Sequence, residues 1–186
     1  MKPLTAIITL LAIVGVAWYF FFTIPAPAPT SPAAPLGITQ TPAGGPLDAP
    51  RSAPEGYKEY RNETYRFAFF YPSSYAIKEF DEGKGAITVT VENAQEARGF
   101  QVFVVPYAGE KVTGERFAQD VPSGVLKDYK DIALDGVAVG TFISSNAVFG
   151  ETREVWAIRG GYLYEVSTPK MLDEWFSTML ETWQFI

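Results

Sequence analysis

Three aspartates that lie close together, Asp128, Asp131 and Asp135, are the first candidates for chemistry, as ligands of a hard cation such as Ca²⁺. An EF-hand loop has acids at every second position, and this spacing does not follow that pattern. If residues 126–134 form a strand, Asp128 faces the opposite side from Asp131. The sequence therefore favours solvated strand charges followed by an Asp-Gly hairpin turn, and it predicts no metal site.

The chain lacks the residue types that imidazole-based and thiol-based catalysis require. It contains no histidine and no cysteine, so it has no imidazole base, thiolate nucleophile, zinc–thiolate site or disulfide. No serine lies in a G-x-S-x-G elbow, the turn that exposes the nucleophile of an α/β-hydrolase. Two carboxylates brought together from distant parts of the chain remain an alternative, as in a glycosidase. The sequence predicts no catalytic residue and no cofactor.

Five tyrosines crowd the first predicted strands and form the candidate partner-contact site. They are Tyr57, Tyr60, Tyr65, Tyr71 and Tyr75. Tyrosine is enriched in protein contacts because its ring is apolar and its hydroxyl is polar. Packing in the core or capping of hairpins is the competing and more common explanation of the same residues, so the surface patch is a hypothesis.

The charge balance argues against nucleic acid as a partner. The 186 residues include 15 Lys+Arg and 21 Asp+Glu, which gives a formal net charge of −6. Binding to phosphates needs clustered Lys and Arg, and the basic residues here are scattered. We therefore expect the partner to be a protein.

Residues 1–24 are predicted to be a transmembrane signal anchor. The stretch 4–24 carries no charged side chain, and a helix of that length measures about 31 Å, close to the thickness of the hydrocarbon core of a bilayer. A cleaved signal peptide is the alternative, but its apolar region is usually shorter, and proline follows the small-residue sites here. Lys2 precedes the span, and the outer flank is uncharged up to Asp48. This asymmetry predicts a single pass through the cytoplasmic membrane, with the N-terminus inside and the domain extracytoplasmic.

Residues 25–56 are predicted to be a disordered, Pro/Ala-rich linker. They hold nine of the chain's 14 prolines and few large apolar side chains. Such a composition cannot bury enough surface to offset its ordering entropy, and it favours extended polyproline II. A ligand for a proline-recognition domain is the alternative, but no basic residue flanks the PxxP repeats to fix an orientation. The spacer is therefore the favoured interpretation.

Residues 57–186 are predicted to form one α+β domain. Alternating or continuous apolar stretches predict strands, with a two-residue turn at Gly160-Gly161. A short helix is predicted over 114–121, capped by Thr113, and a longer one after Thr168-Pro169. The predicted strands cover residues 66–71, 86–91, 100–107, 137–145, 152–159 and 162–168. Hairpins rather than regular βα alternation predict an antiparallel sheet flanked by helices.

The stretch Tyr65–Tyr75, with its alternating aromatics followed by Tyr-Pro, two serines and an aromatic, resembles the opening motif of PsbP-like proteins. The later order is similar too, with the turn Leu134-Asp135-Gly136, the two strands around Gly160-Gly161 and the ending Trp183-Gln184-Phe185. The resemblance implies an α/β/α sandwich around an antiparallel sheet, here in a bacterial, membrane-anchored member. It also implies an accessory or binding role and lends no site residue.

These observations predict a membrane-tethered, extracytoplasmic binding or accessory module without catalytic activity. Its expected partner is an envelope or membrane protein, and the membrane contact is residues 4–24. A structural subunit of a cell-surface assembly is the alternative function, and a carboxylate-based envelope hydrolase is a further one. The sequence does not predict the oligomeric state.

Overall fold

Ten β-strands and two α-helices form the described part of the chain, which is residues 36–42, 50–148 and 150–186 of a computed structural model. These residues all belong to one unit, Ala33–Ile186. The strands are β1 (Tyr57–Asn62), β2 (Phe67–Pro72), β3 (Ala76–Gly83), β4 (Ala86–Asn93), β5 (Arg98–Pro106), β6 (Lys127–Leu134), β7 (Val137–Asn146), β8 (Gly150–Arg159), β9 (Tyr162–Pro169) and β10 (Gln184–Phe185). The helices are α1 (Gly114–Asp120) and α2 (Asp173–Leu180), and a 3₁₀ turn (Lys170–Leu172) leads into α2.

The strands form two antiparallel sheets. The larger has seven strands in the order β3-β4-β5-β9-β8-β7-β6, and the smaller has three in the order β1-β2-β10. Tight turns join the neighbours that follow each other in the chain, and Gly160-Gly161 connects β8 to β9 as predicted. Both glycines have positive φ, 59° and 84°, as a two-residue hairpin turn requires. The predicted antiparallel α+β architecture is therefore confirmed for the described residues.

The larger core lies between the two sheets. The three-stranded sheet and α2 cover one face of the seven-stranded sheet with aromatic side chains. Trp183 is 4% exposed and stacks on Phe67 and Phe69, with ring centroids 5.0 and 5.7 Å apart. Val89 and Val102, on the facing strands, are fully buried beneath this layer. Burial of so much aromatic surface fixes how the small sheet and α2 pack on the large one.

A second core covers the opposite face of the large sheet. Alternation along β8 directs Val155 to the first core and Trp156 to the second. Helix α1 packs here through Phe117, which contacts Phe142 and Trp156. The Thr113 hydroxyl accepts a hydrogen bond from the Arg116 amide at 3.1 Å, so the predicted N-cap is present.

Residues 36–42, which we call the strap, complete the second core. Leu36 and Ile38 are 5% and 1% exposed. The Thr41 amide donates to the Ile158 carbonyl at 2.9 Å, and the Thr41 carbonyl accepts from the Gly160 amide at 3.1 Å. The predicted linker, 25–56, thus contains a segment that packs against the domain, because two large apolar side chains stand among its prolines. Its remaining parts at 25–35 and 43–49, and the predicted anchor at 4–24, lie outside the described residues.

The C-terminal helix is shorter than the stretch of sequence whose apolar residues recur at helical spacing and form one stripe. Strand β9 stays paired with β8 as far as Pro169, so the α-helix begins at Asp173 rather than next to that proline. The stripe still faces the core, because Phe176 and Met179 are buried. Trp183 lies beyond the helix end, in the turn that leads to β10. Neither helix among the described residues is long and apolar enough to cross a membrane.

Both edge strands of the large sheet are protected against pairing with another chain. Strand β3 carries charged side chains and a bulge between Asp81 and Gly83. Strand β6 is likewise charged, with an irregularity between Lys127 and Lys130 and a positive φ of 54° at Asp128. Charges and bulges at a sheet edge disfavour edge-to-edge association. These edges therefore give no support to assembly through strand addition.

Candidate functional site

A groove of about 580 Å³ lies between α2 and strands β6 to β8, on the face of the large sheet that carries the first core. The small sheet and α2 cover the centre of that face and leave its β6 side open. The groove is lined by Ile132, Ala133, Leu134, Asp135, Thr141, Arg153, Val155, Asp173, Glu174, Phe176, Ser177, Leu180, Glu181 and Trp183. Its size lies within the range of pockets that hold a small ligand or a few side chains.

The floor of the groove is apolar. Val155 and Phe176 are buried at its base, and Leu134 and Leu180 are partly exposed above them. Ile132 is 41% exposed at the mouth of the groove. The groove therefore combines a buried apolar floor with a partly exposed aliphatic side chain at its edge.

The walls of the groove are acidic. Arg153 and Asp173 form a two-pronged ion pair, with N–O distances of 3.0 and 2.9 Å. Glu174 and Glu181 are exposed, and neither takes part in an ion pair with another described residue. Since Asp173 neutralises Arg153, the cation in the lining, the walls carry a negative surplus.

Asp135 is held at the end of the groove by the C-terminal strand. It lies in the predicted Asp-Gly turn with a φ of 49°, and its Oδ2 accepts a hydrogen bond from the Phe185 amide at 2.8 Å. The carboxylate is thereby oriented, and it also ties β10 to the β6–β7 hairpin. Asp135 therefore has a structural role, and it is the third carboxylate of the groove, besides Glu174 and Glu181, that no ion pair neutralises.

A second group of acids lies under α1, on the opposite face of the sheet. Arg116 of α1 pairs with Asp120 on the same helix and with Glu165 of β9, the latter at 3.4 Å. The Asp120 and Glu165 side chains are 9% and 11% exposed. Burial, and then the adjacent Asp120 carboxylate, raise the pKa of Glu165 well above its ordinary value. Burial also raises the pKa of Asp120, so both carboxyls of the pair bind protons more tightly than exposed acids do.

Glu154 of β8 extends this acid cluster. The Thr152 hydroxyl donates to its Oε1 at 2.7 Å. Burial raises the pKa of Glu154 to about 7, although the hydrogen bond from Thr152 favours the ionised form. Burial therefore raises the pKa values of all three acids, Asp120, Glu154 and Glu165.

The acid cluster does not have the carboxyl separation of a glycosidase. Asp120 and Glu165 lie within hydrogen-bond reach of each other, whereas the carboxyls of a glycosidase are about 5–10 Å apart to accommodate the sugar. Arg116 occupies the position next to both. The pair therefore leaves no space for a substrate between its carboxyls.

The three aspartates considered as cation ligands do not converge. Asp131 accepts a hydrogen bond from the Tyr129 hydroxyl, and Asp135 binds the Phe185 amide instead. Asp128 lies at the irregularity of β6. Among the residues that the structure describes, no group of three or more acids is arranged to hold a metal ion.

The five candidate contact tyrosines are divided between core and surface. Tyr60 and Tyr75 are 8% and 6% exposed and belong to the first core, which is the competing explanation given above. Tyr65 and Tyr71 are partly buried against that core, and Tyr57 is 38% exposed. The five rings therefore form no continuous surface patch, and a contact role for Tyr57, Tyr65 and Tyr71 stays a prediction.

The groove was not foreseen from the sequence, because its walls are more than thirty residues apart in the chain. One signal was present: Ile132 and Leu134 alternate with polar residues on an edge strand, and nothing nearby in the sequence covers them. The acids Glu174 and Glu181 are two helical turns apart on the wall that faces them.

The solution structure of the cyanobacterial PsbP from Synechocystis sp. PCC 6803 matches with a TM-score of 0.53 at 16% sequence identity. The match covers 76% of this chain and 100% of that one. The fold is PsbP-like. No protein-family model and no curated protein matches the sequence.

The PsbP-like fold confirms what the Tyr65–Tyr75 motif implies about architecture. At this level of identity the likeness concerns the fold alone, and a fold by itself does not assign a function. What the chain does must be argued from its own groove, charges and segments.

Proposed function

We propose that the protein is a non-catalytic accessory module that binds an envelope or membrane protein through the groove beside α2. In this proposal residues 4–24 anchor the chain in the cytoplasmic membrane, in a single pass with the N-terminus inside, and the domain lies outside the cytoplasm. The observation that carries the proposal is the groove itself, an open depression with an apolar floor on a PsbP-like domain. Such a surface fits a short segment of a partner protein.

The acid cluster supports binding over catalysis. Its carboxyls are occupied by each other and by Arg116, and they lie on the face of the sheet opposite to the groove. A hydrolase would place an acid with a raised pKa beside the cleft that takes the substrate. Here the open groove and the acids with raised pKa values are separate.

The tether would act by raising local concentration. Because the strap packs into the second core, residues 25–35 are the part of the chain left to bridge the anchor and the domain. Fully extended, eleven residues reach at most about 40 Å. A module held within that distance of the bilayer meets membrane partners at a much higher effective concentration than a free one.

Cross-linking in intact cells tests this proposal. The full chain is compared with a variant whose residues 1–24 are replaced by a cleaved signal peptide, and with a control whose anchor is an unrelated single-pass helix of the same orientation. We expect the full chain and the helix-swapped control to capture the same partner, and the released variant to capture much less of it.

Two results would contradict the proposal. One is equal capture by the released domain, which would make the tether irrelevant. The other is a domain that resists protease added to whole cells, because an extracytoplasmic domain on a short tether must be accessible to it.

A further inference from the structure

The groove beside α2 carries information about the chemistry of what it binds. We propose that its occupant is a short extended segment with two basic side chains, Lys or Arg, about 10 Å apart, and an apolar side chain between them. This inference rests on the proposed function as a binding module and specifies the partner's docking segment. Three features of the groove support it: the charge of the walls, the spacing of two glutamates on α2, and the apolar floor.

The charge of the groove walls favours a basic occupant. Arg153 is neutralised by Asp173, so Asp135, Glu174 and Glu181 set the sign of the field inside the groove. The Glu174 and Glu181 carboxylates are exposed, so they attract a cation and repel an anion at the solvated rim of the groove, where salt weakens the effect. An acidic or anionic occupant is therefore disfavoured, and a basic one is attracted.

The spacing of two glutamates on α2 determines the expected spacing of the basic side chains. Glu174 and Glu181 are seven residues apart, which is about 10 Å at the helical rise, and Ser177 lies between them in the groove lining. In a polyproline II segment, side chains three residues apart lie on one face about 9 Å from each other. Two basic residues at that spacing match both carboxylates at once.

The apolar floor of the groove is the binding surface for the apolar side chain of the occupant. Ile132 stands exposed opposite α2, and Leu134 and Leu180 continue the apolar surface downward. An aliphatic or aromatic side chain between the two basic residues would bury these atoms. Each buried methylene of such a side chain contributes to affinity, while the charged pairs at the rim contribute selectivity.

The test measures binding of synthetic peptides to the full chain in detergent micelles by fluorescence anisotropy. The probe is a labelled ten-residue peptide in which two lysines, three positions apart, flank a leucine. The comparison peptide has glutamates in place of both lysines. We expect the lysine peptide to bind and the glutamate peptide to bind at least tenfold more weakly.

Matched variants locate the binding. Glu174→Gln together with Glu181→Gln should weaken the lysine peptide about five- to tenfold, since each rim pair is partly solvated. Glu110→Gln together with Glu115→Gln removes the same charge from the opposite face of the sheet and should leave binding unchanged. Ile132→Ser removes apolar surface from the mouth of the groove without changing its charge, and it should also weaken binding.

The outcomes separate this inference from the proposed function. Equal binding of both peptides, or equal weakening by the two double variants, would overturn the basic-segment inference. If cross-linking in cells still captured a tether-dependent partner in that case, the accessory function would stand and the docking surface would lie elsewhere. If no partner were captured either, the proposed function itself would fail.

Discussion

Replacing Glu154 by glutamine should stabilise the domain at alkaline pH. Burial raises the pKa of Glu154 from 4.5 to about 7, so the folded state binds this proton more tightly than the unfolded chain does. The stabilising contribution of the protonated acid is therefore complete below about pH 4.5. It is lost as the pH rises towards 7 and beyond.

The size of the effect follows from the pKa difference. One pKa unit corresponds to about 1.4 kcal/mol, so an ionised Glu154 costs the fold about 3 kcal/mol at pH 8. Glutamine keeps an oxygen that can accept from the Thr152 hydroxyl, now at 2.7 Å from Glu154 Oε1, and it cannot ionise. Glu154→Gln should therefore gain up to that amount at pH 8 and little at pH 4.

The assay is urea unfolding of the full chain in detergent micelles, followed by near-ultraviolet circular dichroism between pH 4 and pH 9. Glu110→Gln, at an exposed glutamate that forms no ion pair with another described residue, is the control and should keep the native pH dependence. If Glu154→Gln showed the same loss of stability from pH 4.5 to pH 8 as the native chain, the assignment of a buried, protonated acid would be refuted.

Three further predictions concern the strap and α1. Ile38→Ala should lower the free energy of unfolding by about 2–4 kcal/mol, measured by urea titration, because Ile38 is 1% exposed; an unchanged midpoint would mean that the strap is not docked. Gly140→Ala should destabilise because its new Cβ would lie 2.8 Å from both Ile38 and Tyr129; in a double-mutant cycle with Ile38→Ala, additive effects would contradict that contact. Thr113→Ala should cost about 1 kcal/mol in the same titration through loss of the N-cap of α1, and Thr113→Ser should restore most of it; no difference between the two variants would argue against the cap.

Patterns that act within a few residues predicted the domain's elements well. Alternation over residues 86–91 identified β4, and Thr113 identified the start of α1. These signals are local, because backbone geometry fixes which side chains share a face. The C-terminal helix was less well bounded, since pairing of β9 with β8 competes with helix formation up to Pro169.

Features that depend on contacts between distant segments were missed. Nothing local distinguishes Leu36 and Ile38 from linker residues, because their burial depends on a space left by Gly140 about one hundred positions later. The pKa of Glu165 is raised first by burial and then by Asp120, which α1 brings next to it from a distant part of the chain. Tyr60 and Tyr75 were assigned to a contact hypothesis for the same reason, since only packing decides which aromatic rings are covered.

Site-specific photo-cross-linking in living cells tests whether this domain binds an envelope protein through the groove beside α2. A photoreactive residue is placed at Ser177, which is exposed in the groove, and in a second strain at Lys84, in the β3–β4 turn. We expect one defined cross-linked partner from position 177 and none from position 84. The basic peptide should reduce the yield of the product from position 177. Cross-linking of that same partner from position 84 alone, or no product from position 177 in a well-expressed protein, would contradict binding through the groove.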